Sequence, residues 1–89
     1  MTFDVRVEVR GLEGIADPEG RTIERALPVM GFGGVSALEV GRVISFRLDA
    51  LDEESARQQV AKMCSDLLAN PVIERTVVAL SPSTAGTTS

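Results

Sequence analysis

Phe3, Val5, Val7 and Val9 are apolar, and the charged residues Asp4, Arg6, Glu8 and Arg10 stand between and after them. Side chains of a strand alternate between faces, so this segment predicts a half-buried strand with all four apolar groups on one side. Asp17-Pro18 then signals a helix start. Aspartate caps free amides there, and a first-turn proline lacks only an amide that has no helical partner. Ile23, Ala26, Leu27 and Met30 recur at helical spacing and form a stripe expected to lie on the sheet. Pro28 interrupts that stripe. It removes an amide and crowds the carbonyl of Glu24, so the helix is expected to kink or to end early, before Gly31 stops it.

Two stretches rich in branched residues, 35–40 and 42–48, are separated only by Gly41 and predict a hairpin or one bent strand. Ile44, Phe46 and Leu48 fall on one face of the second stretch, and Val43, Ser45 and Arg47 on the other, more polar one. Asp52 is the expected cap of a second helix, with Glu53 and Glu54 at its positive end and Leu51 packing onto Ala56. Its apolar stripe is Ala56, Val60, Met63, Cys64, Leu67 and Leu68, and Asn70-Pro71 ends it. Residues 72–80 predict a last strand. Residues 81–89 contain only Ser, Pro, Thr, Ala and Gly and are expected to be a disordered tail. The sequence therefore predicts a single domain over residues 1–80. Its fold class is α+β, a ferredoxin-like βαββαβ order with two helices on one face of an antiparallel sheet.

Composition changes the picture mainly through what is missing. The 89 residues carry a net charge of −4, no histidine, one cysteine, no tryptophan or tyrosine, and three phenylalanines. Without histidine there is no imidazole base and no Ser-His or Cys-His nucleophile pair. A lone cysteine forms no internal disulfide, which together with the absence of an export or membrane-crossing segment leads to the expectation of a cytoplasmic protein away from membranes. Negative charge and few aromatic rings argue against nucleic acid. A chain this short buries only roughly 60–65% of its unfolded surface, so a second copy or a larger assembly is an expected source of stability.

Several residue groups invite a site. Gly11-Leu12-Glu13-Gly14 precedes a helix in the manner of an anion-binding loop, but Glu13, Asp17 and Glu19 would repel the anion. Cys64 lies among Val60, Ala61, Leu67 and Leu68 and is expected to be a core residue. Asp49, Asp52, Glu53 and Glu54 are explained by helix capping, not by a metal. Arg21, Arg25 and Arg42 are left as a candidate basic patch for docking a partner. No catalytic, cofactor-binding or metal-binding residue is assigned.

Asp17-Pro18-Glu19-Gly20 with its helix, residues 35–40 followed by Gly41-Arg42, and Met63-Cys64 through Leu68-Ala69-Asn70-Pro71-Val72-Ile73-Glu74 together resemble the PurS family, the small subunits of phosphoribosylformylglycinamidine synthase in purine biosynthesis. The resemblance spans roughly residues 3–80. It implies a non-catalytic subunit that assembles with itself as a dimer or tetramer and bridges a PurQ-type glutaminase to a PurL-type synthetase. It also implies that ATP and Mg are used by the synthetase and that this chain holds no cofactor. Residues 35–48 are expected to supply sheet-edge pairing between copies. The competing expectation is a small-molecule-binding regulatory module of the same fold.

Overall fold

The computed structural model describes residues 1–83. In chain order it contains β1 (Thr2–Gly11), α1 (Pro18–Val29), β2 (Arg42–Asp49), α2 (Glu53–Met63), one π-helical turn (Cys64–Leu68) and β3 (Glu74–Pro82). The three strands form one antiparallel sheet in the order β2-β1-β3. Its register follows from the alternation in β1. Val5 stands opposite Phe46 and Leu80, and Val7 opposite Ile44 and Val78, so apolar residues of all three strands share one face.

α2 lies across that face. Phe3, Val5, Val7 and Val9 are buried with Ala56, Val60 and Cys64, while Ile44, Phe46, Leu48, Val78 and Leu80 pack around them half-buried. Burying a side chain of this size contributes roughly 1.5–3 kcal/mol, so the central strand and one helix supply most of the cohesion. Asp52 caps α2 as expected, its Oδ1 accepting the Ser55 amide at 2.7 Å. After Met63 the helix widens, the Ala69 amide reaching back to the Cys64 carbonyl at 3.1 Å. The extra residue in that turn shifts the stripe. Leu68 stays half-buried, whereas Leu67, expected inside, is 84% exposed.

The α+β class with an antiparallel sheet and two helices holds, with four corrections of detail. Residues 35–40 form no strand, so the order is βαβαβ. Gly34 and Ala37 take positive φ, which breaks the extended run, and the amides of Leu38 and Val40 bond to carboxylates of Glu24 and Asp17 instead of to a neighbouring strand. α1 does not lie on the sheet. Gly20 is its only buried residue, and its stripe faces outward, Ile23 at 39% and Met30 at 68% exposure. Leu51, expected to pack onto Ala56, is 85% exposed. β3 also runs further than expected: Ser81 and Pro82 pair with Asp4 and Phe3, and the Ser83 amide donates to the Thr2 carbonyl at 2.8 Å. The rest of the expected tail, 84–89, lies outside the described residues.

Pro28 is accommodated as its chemistry requires. The helix ends one residue later, the Phe32 amide bonding to the Leu27 carbonyl at 2.9 Å and the Gly31 amide to Pro28 at 3.1 Å, with Gly31 at φ 98°. This paired closure satisfies the last carbonyls of the helix.

Gly41 admits no side chain at the entry to β2, because a Cβ there would stand 2.7 Å from the Val9 carbonyl oxygen. Gly41→Ala is expected to lower stability by about 1–3 kcal/mol, the usual cost of forcing atoms into a packed site, measured by urea unfolding.

Candidate functional site

The chemistry-bearing residues are engaged in structure. Cys64 is buried in the core. Asp49 accepts the Thr2 hydroxyl at 2.7 Å, Asp52 caps α2, Glu53 pairs with Arg57 at 3.5 Å and Glu54 accepts from Gln58 at 3.2 Å. Among the described residues no cluster of three or more His, Cys, Asp or Glu is placed to hold a metal ion. No helix there is long and apolar enough to cross a membrane.

What the chain offers instead is a projecting arm, made of α1 and the return segment 31–41, joined to the sheet at Gly11 and Arg42. Two carboxylates build it. Asp17 Oδ1 accepts the Gly20 amide and Oδ2 accepts the Val40 amide, both at 3.0 Å, so one side chain caps α1 and pins the return segment to it. Glu24 repeats the device about two turns on, accepting the Leu38 amide at 3.0 Å and the Arg21 guanidinium at 2.7 Å. The Val40 amide, helped by those of Gly20 and the nearby Arg21 charge, holds the Asp17 carboxyl below its ordinary range.

The three candidate arginines fall into two roles. Arg21 donates to Glu24 and to the Leu38 carbonyl, which ties the arm together. Arg42 donates to Glu74 at 3.0 Å and to the Leu68 carbonyl, joining the end of the π turn to β2 and β3. Glu74 also accepts the Asn70 amide at 2.8 Å, and that bond, followed by Arg42, lowers the pKa of its carboxyl. Arg25 alone of the three makes no hydrogen bond or ion pair among the described residues, and it stands exposed on α1.

The second face of the sheet is polar, as the alternation in β2 predicts. Glu8 pairs with Arg6 and Arg10, and Glu39 of the return segment bridges Arg10 and Arg75 at 3.4 and 3.6 Å. Asp4 meets Arg47 at 3.4 Å across β1 and β2. Val43 and Val77 stand about half exposed on this face. Sequence reasoning finds Asp17 as a cap but misses its bond to Val40, and it misses the roles of Glu24 and Glu74. These bonds join residues 14 to 32 positions apart, so no local spacing signals them.

Because Asp17 has a lowered pKa in the folded state, its charged form favours the folded arm above the ordinary carboxylate value of about 4. That contribution is lost as pH falls from there through the lowered value. We expect the Val40 amide resonance to titrate below about pH 4, and Asp17→Ala to speed hydrogen exchange at Val40 and Gly20 at neutral pH while leaving β1 amides unchanged.

Comparison with known proteins bears on what such a chain does. Residues 4–82 match the family model described as PurS, phosphoribosylformylglycinamidine (FGAM) synthase. The chain is similar to the synthase subunit PurS of Archaeoglobus fulgidus, 40% identical over 75 residues covering 84% of this chain and 91% of that one. It is also similar to its counterpart in Methanothermobacter thermautotrophicus, 41% identical over 73 residues, covering 82% and 86% of the two chains. Among solved structures, a chain in PurLQS from Thermotoga maritima superposes with a TM-score of 0.85 at 33% identity, covering 91% of this chain and 99% of that chain. PurS from Methanocaldococcus jannaschii gives 0.81 at 33% identity, covering 91% and 98%.

Proposed function

Since the chain belongs to the PurS family of FGAM synthase, we propose that it serves that enzyme in purine biosynthesis as its small, non-catalytic subunit, bridging a glutaminase and a synthetase. The likeness to a chain within PurLQS, nearly complete over that chain, carries the reading. The glutaminase releases ammonia from glutamine, and the synthetase uses it with ATP and Mg to convert formylglycinamide ribonucleotide to the formylglycinamidine. ADP, phosphate and glutamate leave. On this reading the assembly is cytoplasmic and the small chain holds no cofactor of its own.

What the chain contributes is position. Two enzymes held together see each other at a high effective concentration, so ammonia passes between them with less loss to solvent. A sheet with outer edges and an arm held rigid by carboxylate–amide bonds suits that task better than it suits chemistry. Self-association along the outer edge of β2 belongs to the same reading, as does docking through the arginines. On this reading Arg25, exposed on α1, touches a partner directly, while Arg21 and Arg42 support the surfaces on which partners rest.

The matching glutaminase and synthetase, assayed with and without this chain, test the reading. Glutamine-driven amidotransfer is expected to fall at least about tenfold without it, while the rate driven by ammonium salt stays the same. Equal glutamine-driven rates in both mixtures would overturn the bridging role.

A further inference from the structure

We infer that the outer edge of β3 takes up an extended, uncharged segment of a partner enzyme as a fourth strand of the sheet; the inference rests on the bridging role proposed above. The register shows which backbone groups are free to receive it. The Leu12 amide donates to the Ile73 carbonyl at 2.9 Å and the Ser83 amide to the Thr2 carbonyl at 2.8 Å, one at each end of the β1–β3 ladder. Alternation between those ends aims the odd-numbered residues of β3 at β1 and the even-numbered ones away from the sheet. The amides of Thr76, Val78 and Leu80 therefore face outward, and among the described residues no loop backbone bonds to them. Pro82, which has no amide, ends this row of donors.

The side chains along the edge set the chemistry of the incoming strand. Thr76, Val78 and Leu80 are half-buried on the face that α2 covers, while Val77 and Ala79 are exposed on the other. A fourth strand with apolar residues on the α2 side would continue the core layer past Val78 and Leu80, and branched or small residues on its other side would meet Val77 and Ala79. Charge is absent from 76–83, whereas β2 carries Arg42, Arg47 and Asp49. Natural proteins blunt an edge that stays open with charges, proline or a bulge, and from Thr76 to Ser81 this edge has neither charge nor proline.

Sheet growth argues that the added strand comes from a different chain. Self-association along β2, as proposed above, already commits one edge to a second copy. Were β3 also to pair with a copy of itself, each chain would carry two self-complementary edges on opposite sides of the sheet. Such a sheet could extend copy by copy without closing. A strand from a partner enzyme ends that growth and fixes the enzyme to the small subunit through backbone bonds.

The test uses the full chain, alone and bound to the synthetase or to the glutaminase, with exchange allowed in the complex and read by NMR after an aprotic quench. In the free chain the amides of Thr76, Val78 and Leu80 are expected to exchange fast, and in the complex with one of the enzymes to slow by about tenfold or more. Those of Val77 and Ala79, bonded to β1, stay protected throughout. Thr76→Pro removes one outward donor and no bond to β1, and is expected to weaken binding of that enzyme about tenfold. Val77→Lys, whose new charge stands opposite Glu8 within the chain, is expected to weaken it as well while self-association by sedimentation equilibrium stays unchanged. Outward amides that remain fast in both complexes, or a Thr76→Pro chain that binds both enzymes normally, would overturn the inference. So would protection already present in the free chain, whether it grows with concentration, which assigns the edge to a second copy, or disappears on deletion of 84–89, which assigns it to the chain's own end. A chain that supports glutamine-driven amidotransfer with these amides unprotected sinks this inference alone, and one that binds neither enzyme sinks the bridging role with it.

Discussion

The arm depends on carboxylates that accept backbone amides across a long loop. A strand satisfies its amides with a neighbouring strand, but residues 38 and 40 have none, and an unpaired amide shielded from water costs about 1–3 kcal/mol. Glu24 and Asp17 supply the acceptors instead. Each bond joins a residue of the first helix or its cap to the segment that returns from it, so helix and return segment move as one body. Arg21, donating to the Leu38 carbonyl, adds a third tie between helix and return segment, and Glu39, paired with Arg10 and Arg75, fixes the return segment to the sheet.

The core explains why such an arm exists at all. One helix covers one strand thoroughly and its two neighbours partly, with β1 buried and β2 and β3 only half-buried on the same face. A ferredoxin-like layer normally sets two helices on that face, and this chain makes both but uses one of them elsewhere. Cohesion within the monomer is therefore limited to the sheet and α2. α1 is available for contacts with other molecules, which suits the bridging role proposed for this subunit.

Much of this was legible in the residues. The alternation of Phe3 to Val9, the cap at Asp52 and the stop at Asn70-Pro71 each carry a local physical signal, and the structure places strand, helix start and helix end there. The errors have physical causes too. A stripe such as Ile23-Leu27-Met30 says that a helix has an apolar face but not what covers it. Residues 35–40 have the composition of a strand, yet Gly34 and Ala37 at positive φ and two distant carboxylates hold them otherwise. For the candidate arginines, side-chain type announces charge but not whether an internal carbonyl or carboxylate already claims it, as Leu68 and Glu74 claim Arg42.

The strand order carries a consequence for how the chain assembles itself. β1 lies in the middle of the sheet, and its pairs with β3 join the beginning of the sequence to residues 74–82, Phe3 standing opposite Pro82. Contacts of that sequence separation close a long loop before they return any stabilisation, and folding slows accordingly. Of the three strands the most deeply buried is made first, and during synthesis it waits for its second neighbour until β3 has left the ribosome. In that interval Val5 and Val7 present an open edge beside β2. Until β3 pairs, that open edge is free to associate with other chains, the hazard that comes with placing an early strand in the middle of the sheet.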